Sequence, residues 1–218
     1  MPIKKDREYR NLTMRALEEN ETEAAKVVTG YASTFDEPYL LFKGDGWQLY
    51  EVVDRGAFDN TDMDDVIMQY DHAGRVFART RNNTLDVTTD EKGLFIKADL
   101  GGTELGRGLY EEIRGGYTDK MSFGFTVNGE TEEYEETEDG LGIYTRHITS
   151  VAKLFDVSAV SLPANEGTSI EADATTRSIS DLTDGVIEKI RAERLEAEKI
   201  ALERAKVEVR AKALLGGV

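Results

Sequence analysis

The chain has 218 residues, of which 39% are hydrophobic and 32% charged, and a net charge of -16. This composition is typical of a globular protein with room for one full core. It contains no cysteine, which excludes disulfides, thiol catalysis and cysteine metal sites and favours a cytoplasmic setting. No apolar run reaches the roughly 18 residues of a membrane-spanning helix. The basic N-terminus lacks the apolar stretch of a secretory signal, so we expect no membrane partner.

The negative charge is concentrated in the body of the chain. Residues 184–218 hold eight Lys/Arg and seven Asp/Glu, so nearly all of the net charge lies in residues 1–183. Binding to nucleic acid needs positive patches that face phosphates, and a body this acidic does not provide them. The predicted strands also do not combine aromatic and basic residues, as strands that bind single-stranded nucleic acid do. We therefore expect no nucleic-acid partner. The chain has only two histidines, far apart in sequence, so no metal or other cofactor is predicted.

The first half of the chain indicates strands. Residues 1–26 are polar and charged, and we expect no order at their start. Runs of β-branched, aromatic and alternating apolar residues then predict strands at 27–35, 47–53, 66–70, 84–89 and 94–100. The turn-like segment Asp90-Glu91-Lys92-Gly93 makes the last two strands a hairpin.

The pattern then changes to that of a helix and returns to strands. Apolar residues at helical spacing predict a helix over 103–114, with Thr103 as its N-cap and Gly115-Gly116 at its end. Between Glu130 and Asp139, seven of ten residues are acidic. A solvated hairpin tip is the simplest interpretation, and a surface that guides basic substrates is the alternative. Strands are predicted at 121–127, 142–151 and 154–162.

The C-terminal part of the sequence predicts a linker followed by a helical arm. Residues 165–184 are rich in Ser, Thr, Gly and acidic residues without periodicity, which indicates a linker. A long helix is predicted from Val186 to Leu214 within an arm of residues 185–218. Its apolar residues form two heptad rows, so it can pair with itself or another helical protein, or remain a solvated single helix. The rows are Leu195, Leu202, Val209 and Ile200, Val207, Leu214.

One histidine, one serine and one aspartate stand on or beside predicted strands. His72 follows a strand, and Ser122 and Asp156 each lie within one. Strand alternation turns Ser122 to the face opposite its bulky neighbours Met121 and Phe123, which predicts a small, open face around the hydroxyl. A serine hydroxyl becomes a nucleophile when a histidine takes its proton, and the histidine needs a partner that fixes its tautomer. The three residue types fit a serine-hydrolase triad in an uncommon chain order. A lone strand serine or edge histidine is, however, more often structural.

Several short segments together resemble the prohead proteases of tailed bacteriophages, the serine peptidases of capsid maturation. The resemblance covers residues 28–168. The prohead protease family is in turn similar to the herpesvirus assemblins. The resemblance implies that residues 27–164, mainly β with helices, form an assemblin-like β-barrel protease domain. The matching segments, in the family's order, are Gly30-Tyr31-Ala32-Ser33 with Phe35-Asp36, Arg55-Gly56-Ala57-Phe58, Asp71-His72, Ala78-Arg79-Thr80, Gly93-Leu94, Met121-Ser122-Phe123-Gly124-Phe125, and Asp156-Val157-Ser158-Ala159-Val160 with Pro163-Ala164.

The resemblance also implies roles for the candidate residues. Ser122 matches the nucleophile and His72 the general base. Asp156 matches the third member, where the family often has glutamate and the assemblins have histidine. His147 is the alternative third member. Asp71 departs from the family, which often has asparagine before the histidine, and its carboxylate can compete with Asp156 for His72.

The activity implied is cleavage of peptide bonds inside an assembling prohead, in the host cytoplasm. The substrates implied are the phage major capsid protein, the scaffold and the protease itself, with residues 165–184 as an accessible site of self-cleavage. Backbone N–H groups near Ser122 or around Ala164-Asn165 are the candidate oxyanion donors. Similarity to the assemblins also implies that the protein can form a homodimer. The alternative function is a non-catalytic capsid assembly or scaffolding module with a helical interaction arm, which leaves the three candidate residues without a role.

Overall fold

A computed structural model describes residues 8–15 and 26–161, together with helical residues at 182–192, 195–196, 199–200, 203–204 and 206–207. The chain divides into two units, Met1–Ser178 and Ile179–Val218. The described part of the first unit is mainly β, as the sequence predicts, and that of the second is helical. None of the described helices is long and apolar enough to cross a membrane.

The first unit contains a sheet and one α-helix. Each predicted strand overlaps an observed one, and two predicted strands prove to be a single strand, β10. The helix α1 (Glu104–Arg114) follows β8, and a 3-10 turn (Thr80–Asn82) follows β6. The strands are β1 (Glu8–Arg15), β2 (Val27–Thr34), β3 (Tyr39–Gly44), β4 (Trp47–Val53), β5 (Ile67–Tyr70), β6 (Ala73–Arg79), β7 (Leu85–Thr89), β8 (Gly93–Asp99), β9 (Lys120–Glu136) and β10 (Gly142–Val160).

The sheet is organised around β10. The hydrogen-bonded strand order is β3-β4-β10-β9-β1-β2-β8-β7, while β5 pairs with β10 and β6 pairs with β5. The first part of β10 pairs in parallel with β4, and its residues Asp156 to Ala159 pair in parallel with β5. Register shifts between Ile148 and Asp156 separate the two parts. A bulge bends its strand and increases its twist, which lets one long strand serve two partners.

The closed barrel expected from the sequence is not found in the described strand pairing. β6 and β7 are consecutive in the chain, but no ladder of the described residues pairs them. The backbone N–H of Arg79, in the last position of β6, instead donates to the hydroxyl of Thr84 at 2.9 Å. The likeness to the assemblin fold stays a prediction.

Helix α1 forms where the sequence predicts it. Thr103 Oγ1 accepts a backbone N–H of the first turn at 2.9 Å, which satisfies one of the donors left open at a helix start. Gly116, with a φ of 72°, follows the last turn in a left-handed conformation that glycine adopts without strain. Leu109 and Ile113 are buried in the core. Leu105, one helical turn before Leu109, is 48% exposed.

β1 lies within the segment that the sequence predicts as a polar N-terminal extension. It pairs antiparallel with β9 on one side and with β2 on the other. Asn11 of β1 stands opposite Ser122 of β9 in this pairing. The sheet therefore extends beyond the predicted boundary at residue 27. The strand escapes sequence analysis because charged residues occupy positions where a buried strand normally carries apolar ones.

A buried ion cluster explains how β1 can carry charged residues inside the sheet. The cluster is formed by Glu8 and Arg10 of β1, Glu51 of β4 and Arg146 of β10. Arg10, Glu51 and Arg146 are 2%, 0% and 4% exposed. Glu51 accepts from Arg10 Nη2 and from Arg146 Nη1, each at 2.7 Å, and also bonds to Tyr39. Burial by itself would lower the pKa of Arg10, but the Glu51 carboxylate outweighs it and raises that pKa. The cluster joins three strands that are distant in sequence, β1, β4 and β10.

The described part of the C-terminal helix begins earlier than predicted. Residues 182–192 are helical, so the helix includes the last positions of the predicted linker 165–184. The rest of that linker and the predicted helical end at Leu214 lie outside the described residues. Leu195, Ile200 and Val207, which belong to the predicted heptad rows, are 55%, 48% and 62% exposed.

Candidate active site

Ser122 is held in the middle of the sheet. Its neighbours Met121 and Phe123 are buried in the apolar core, so strand alternation turns the serine side chain to the opposite face. β9 is paired on both sides here, with Asn11 of β1 and with Ser158 of β10. The sequence predicted a small, open face around this hydroxyl. The structure shows instead that Ser122 is 0% exposed.

His72 is presented by a tight turn between β5 and β6. Tyr70 pairs with Ala73, so Asp71 and His72 are the two central residues of the hairpin. Their φ values are 48° and 54°, as a type I′ turn requires. Aspartate tolerates this left-handed conformation better than most residues, which gives a local reason for the acidic residue before the histidine.

Asp71 fastens this turn to the end of β10. Its backbone N–H donates to the carbonyl of Ala159 at 2.9 Å. Its carboxylate accepts the backbone N–H of Ser161 at 2.8 Å and the Ser161 hydroxyl at 2.9 Å. Sequence reasoning identified Asp71 as a departure from the family but did not predict this contact.

The structure brings Asp156, His72 and Ser122 into one hydrogen-bonded chain. His72 Nδ1 lies 2.6 Å from Asp156 Oδ1, and His72 Nε2 lies 2.7 Å from Ser122 Oγ. Because an ionised carboxylate can only accept, Nδ1 carries the proton and Nε2 accepts the serine hydroxyl. Asp156 is 2% exposed, and its cross-strand neighbour is Gly124, which adds no side chain beside the carboxylate.

The arrangement has the donor and acceptor order that acyl transfer needs. A hydroxyl bonded to a neutral imidazole can lose its proton as it attacks a carbonyl. A buried carboxylate on the far nitrogen then stabilises the imidazolium that forms. Among the described residues, no group of three or more His, Asp or Glu lies close enough to hold a metal ion.

His147 lies elsewhere on the sheet. It stands opposite Thr131 in the pairing of β9 with β10, whereas Ser158 stands opposite Ser122. Its Nδ1 is 2.9 Å from Asp54 Oδ1, so its ring is engaged by a different carboxylate. The structure therefore brings Asp156, and not His147, to His72. The candidate oxyanion donors around residues 164–165 lie outside the described residues.

Comparison with known proteins gives the family of the chain. A model of the family described as caudovirus prohead serine protease matches residues 11–184. None of the curated proteins matches the chain. Among solved structures, the chain is similar to the capsid assembly protease of bacteriophage T4, with 10% sequence identity and a TM-score of 0.41 over 71% of this chain and 97% of that chain. Because the family model spans most of its length, the chain is a serine peptidase that belongs to the caudovirus prohead serine proteases.

Proposed function

We propose that this protein is an endopeptidase of phage capsid maturation, with Ser122 as nucleophile, His72 as general base and Asp156 as third member. The observation that carries the proposal is the hydrogen-bonded chain from Asp156 through His72 to Ser122, with links of 2.6 and 2.7 Å. Both links fall within the reach that proton transfer between positioned side chains requires.

The reaction follows from this geometry. Ser122 Oγ attacks the carbonyl carbon of the scissile peptide bond while its proton passes to His72 Nε2. The carbonyl electron pair moves to oxygen and returns as the C–N bond breaks, and His72 gives its proton to the leaving nitrogen. Water then attacks the acyl-enzyme by the same route and releases Ser122. Asp156 keeps the imidazole in the required tautomer and stabilises its charged form.

The burial of the nucleophile adds a requirement for substrate entry. Ser122 is 0% exposed, and the His72 side chain is 10% exposed. A scissile carbonyl has to reach contact distance of Ser122 Oγ, so productive binding has to displace whatever covers it.

Family membership supports the choice of substrates. We infer that the enzyme cleaves the phage major capsid protein, the scaffold and itself, inside the prohead as it assembles in the host cytoplasm. Self-cleavage within residues 165–184 would separate the protease domain from the helical arm. This segment is polar and without predicted regular structure, which makes it accessible to a protease.

The deciding experiment compares three full-length proteins: wild type, Ser122→Ala and Ser150→Ala. Ser150 lies on β10 away from the proposed triad and serves as a matched control. Each is incubated with the phage capsid protein and scaffold, and the masses of all chains are followed over time. Wild type and Ser150→Ala are expected to shorten the substrates and themselves, whereas Ser122→Ala leaves every mass unchanged. Identical fragments from Ser122→Ala and wild type would refute the assignment of the nucleophile.

The helical arm is proposed to attach the uncut protease to helices of the scaffold. The exposure of Leu195, Ile200 and Val207 supports this, because apolar residues at heptad spacing form helix-pairing surfaces. Replacing Leu195 and Ile200 by glutamate is expected to remove the protease from purified proheads while cleavage of capsid protein in solution persists. Normal incorporation of this variant into proheads would contradict the proposed role of the arm.

A further inference from the structure

Ser158 contacts the proposed triad from within the sheet. It lies two residues after Asp156 on β10, so both side chains emerge on the same face of the strand. It also stands directly opposite Ser122 in the pairing with β9. Ser158 is 0% exposed, and its hydroxyl donates to Asp156 Oδ1 at 2.8 Å.

The oxygen that Ser158 bonds is the one that faces the histidine. Asp156 Oδ1 accepts from His72 Nδ1 at 2.6 Å and from Ser158 Oγ at 2.8 Å. A carboxylate turns easily about its terminal torsion, because that torsion has only broad minima. A second donor on the same oxygen opposes this rotation. The donor is itself anchored, since Ser158 sits in a strand paired on both sides, with β9 and with β5.

We propose that Ser158 is a positioning residue for catalysis, whose hydroxyl holds Asp156 Oδ1 against His72 Nδ1. The inference rests on the proposed function of Ser122, His72 and Asp156. Ser158 does not touch the reacting atoms in this role. It acts through Asp156, by keeping the acceptor in the place where the imidazolium needs it during proton transfer.

The chemistry of the position also favours serine. A buried hydroxyl is costly unless it is bonded, and Asp156 supplies the acceptor that Ser158 needs. An alanine would fill nearly the same space but would leave Oδ1 with only the histidine as a donor. A cysteine would keep the shape of the side chain and donate only weakly.

The test uses full-length Ser158→Ala, Ser158→Cys and Ser158→Thr beside wild type, Ser122→Ala and the control Ser150→Ala. Cleavage of the capsid protein is measured as kcat and KM, and folding is checked by thermal unfolding. Loss of a hydrogen bond to a charged group corresponds to a fall in kcat of about 10- to 100-fold. We expect this fall for the alanine and cysteine variants with KM unchanged, and recovery in the threonine variant, which keeps the hydroxyl.

A spectroscopic measurement separates positioning from packing. The proton on His72 Nδ1 is observed by NMR in the inactive Ser122→Ala background, with and without Ser158→Cys. Its resonance is expected to shift and to exchange faster with water when the second donor on Oδ1 is weakened. The cysteine variant keeps the packing should the alanine variant fail to fold.

Two results overturn the inference while leaving the proposed function intact. One is wild-type kcat in Ser158→Ala or Ser158→Cys while Ser122→Ala is inactive. The other is a threonine variant as slow as a folded alanine variant, together with an unchanged His72 proton resonance. An active Ser122→Ala would instead refute the proposed function itself.

Discussion

Replacing Glu51 by glutamine tests the buried ion cluster that attaches β1 to the sheet. Glu51 is 0% exposed and bonds two arginines, Arg10 and Arg146, that are themselves almost completely buried. The other carboxylates of these arginines, Glu8 and Glu130, are 15% and 44% exposed, so Glu51 is the fully buried counter-charge. Glutamine keeps the shape of the side chain but removes the charge and turns one acceptor into a donor. Removing one partner of a buried ion pair leaves an uncompensated charge and costs about 3–5 kcal/mol.

This loss is large compared with the stability of a domain. Total unfolding free energies are roughly 5–15 kcal/mol, and 1 kcal/mol shifts the melting temperature of a chain of this size by about 2–4 °C. Glu51→Gln should therefore lower the melting temperature by roughly 6–20 °C. The assay is denaturant unfolding followed by circular dichroism, with thermal unfolding as a second measurement.

Glu133→Gln is the matched control for this prediction. The Glu133 side chain is 69% exposed, so its replacement should change the unfolding free energy by no more than about 0.5 kcal/mol. Combining Glu51→Gln with Arg146→Met should cost less than the sum of the two single changes, because neighbours in one network are not additive. A loss below about 1 kcal/mol for Glu51→Gln would refute the view that this cluster stabilises the sheet.

Three further predictions concern the site and the acid stability. Asp156→Asn should lower kcat by about 10³- to 10⁴-fold, as loss of the third triad member does in other serine hydrolases. His147→Gln should stay within about threefold of wild type in the same assay. The reverse order of the two losses would contradict the proposed triad. Asp71→Ala should lower kcat by about 10- to 100-fold because the turn of His72 loses its anchor, and Asp71→Asn should retain activity because its amide oxygen still accepts; equal kinetics for the two would refute the anchoring role. Burial by itself would raise the pKa of Glu8, but hydrogen bonding and charge from the two buried arginines outweigh it and lower that pKa from 4.5. The stability that Glu8 contributes is therefore complete above about pH 4.5 and is lost as the pH falls through the lower folded value, so denaturant unfolding across this range should be less pH-dependent in Glu8→Gln.

The sequence predicted best where local pattern and environment agree. Helix α1 was predicted because its N-cap Thr103 and its glycine end are local signals. β1 was missed because Arg10 occupies a buried position and Glu8 a half-buried one, and the neutralisation of their charges depends on Glu51 and Arg146. Ion pairs between strands so distant in sequence leave no periodic signal.

The sequence pattern also could not predict that β10 is one continuous strand. Two strands were predicted at 142–151 and 154–162, whereas β10 runs from Gly142 to Val160 without a break. The bulges between Ile148 and Asp156 disturb the alternation of side chains, and alternation is the signal from which strands are predicted. The β-barrel was implied by the family resemblance, but closure of the sheet depends on whether β6 and β7 pair.

For the candidate site, the amino-acid sequence by itself determined which chemistry was available. With no cysteine and two histidines, a serine nucleophile with a histidine base was the main catalytic assignment open to the chain. Strand alternation also placed Ser122 on the face opposite Met121 and Phe123. These conclusions need only residue types and local geometry.

Only the tertiary structure decided which side chains meet. His72 is 50 residues from Ser122 and 84 from Asp156 along the chain, and the three come together because β5 and β9 both pair with β10. The same pairing assigned Asp71 to Ser161, gave Asp156 its second donor in Ser158, and left His147 with Asp54. Local periodicity specifies a strand and its faces but not its partners, because partner choice is set by the burial and hydrogen bonding of the whole sheet.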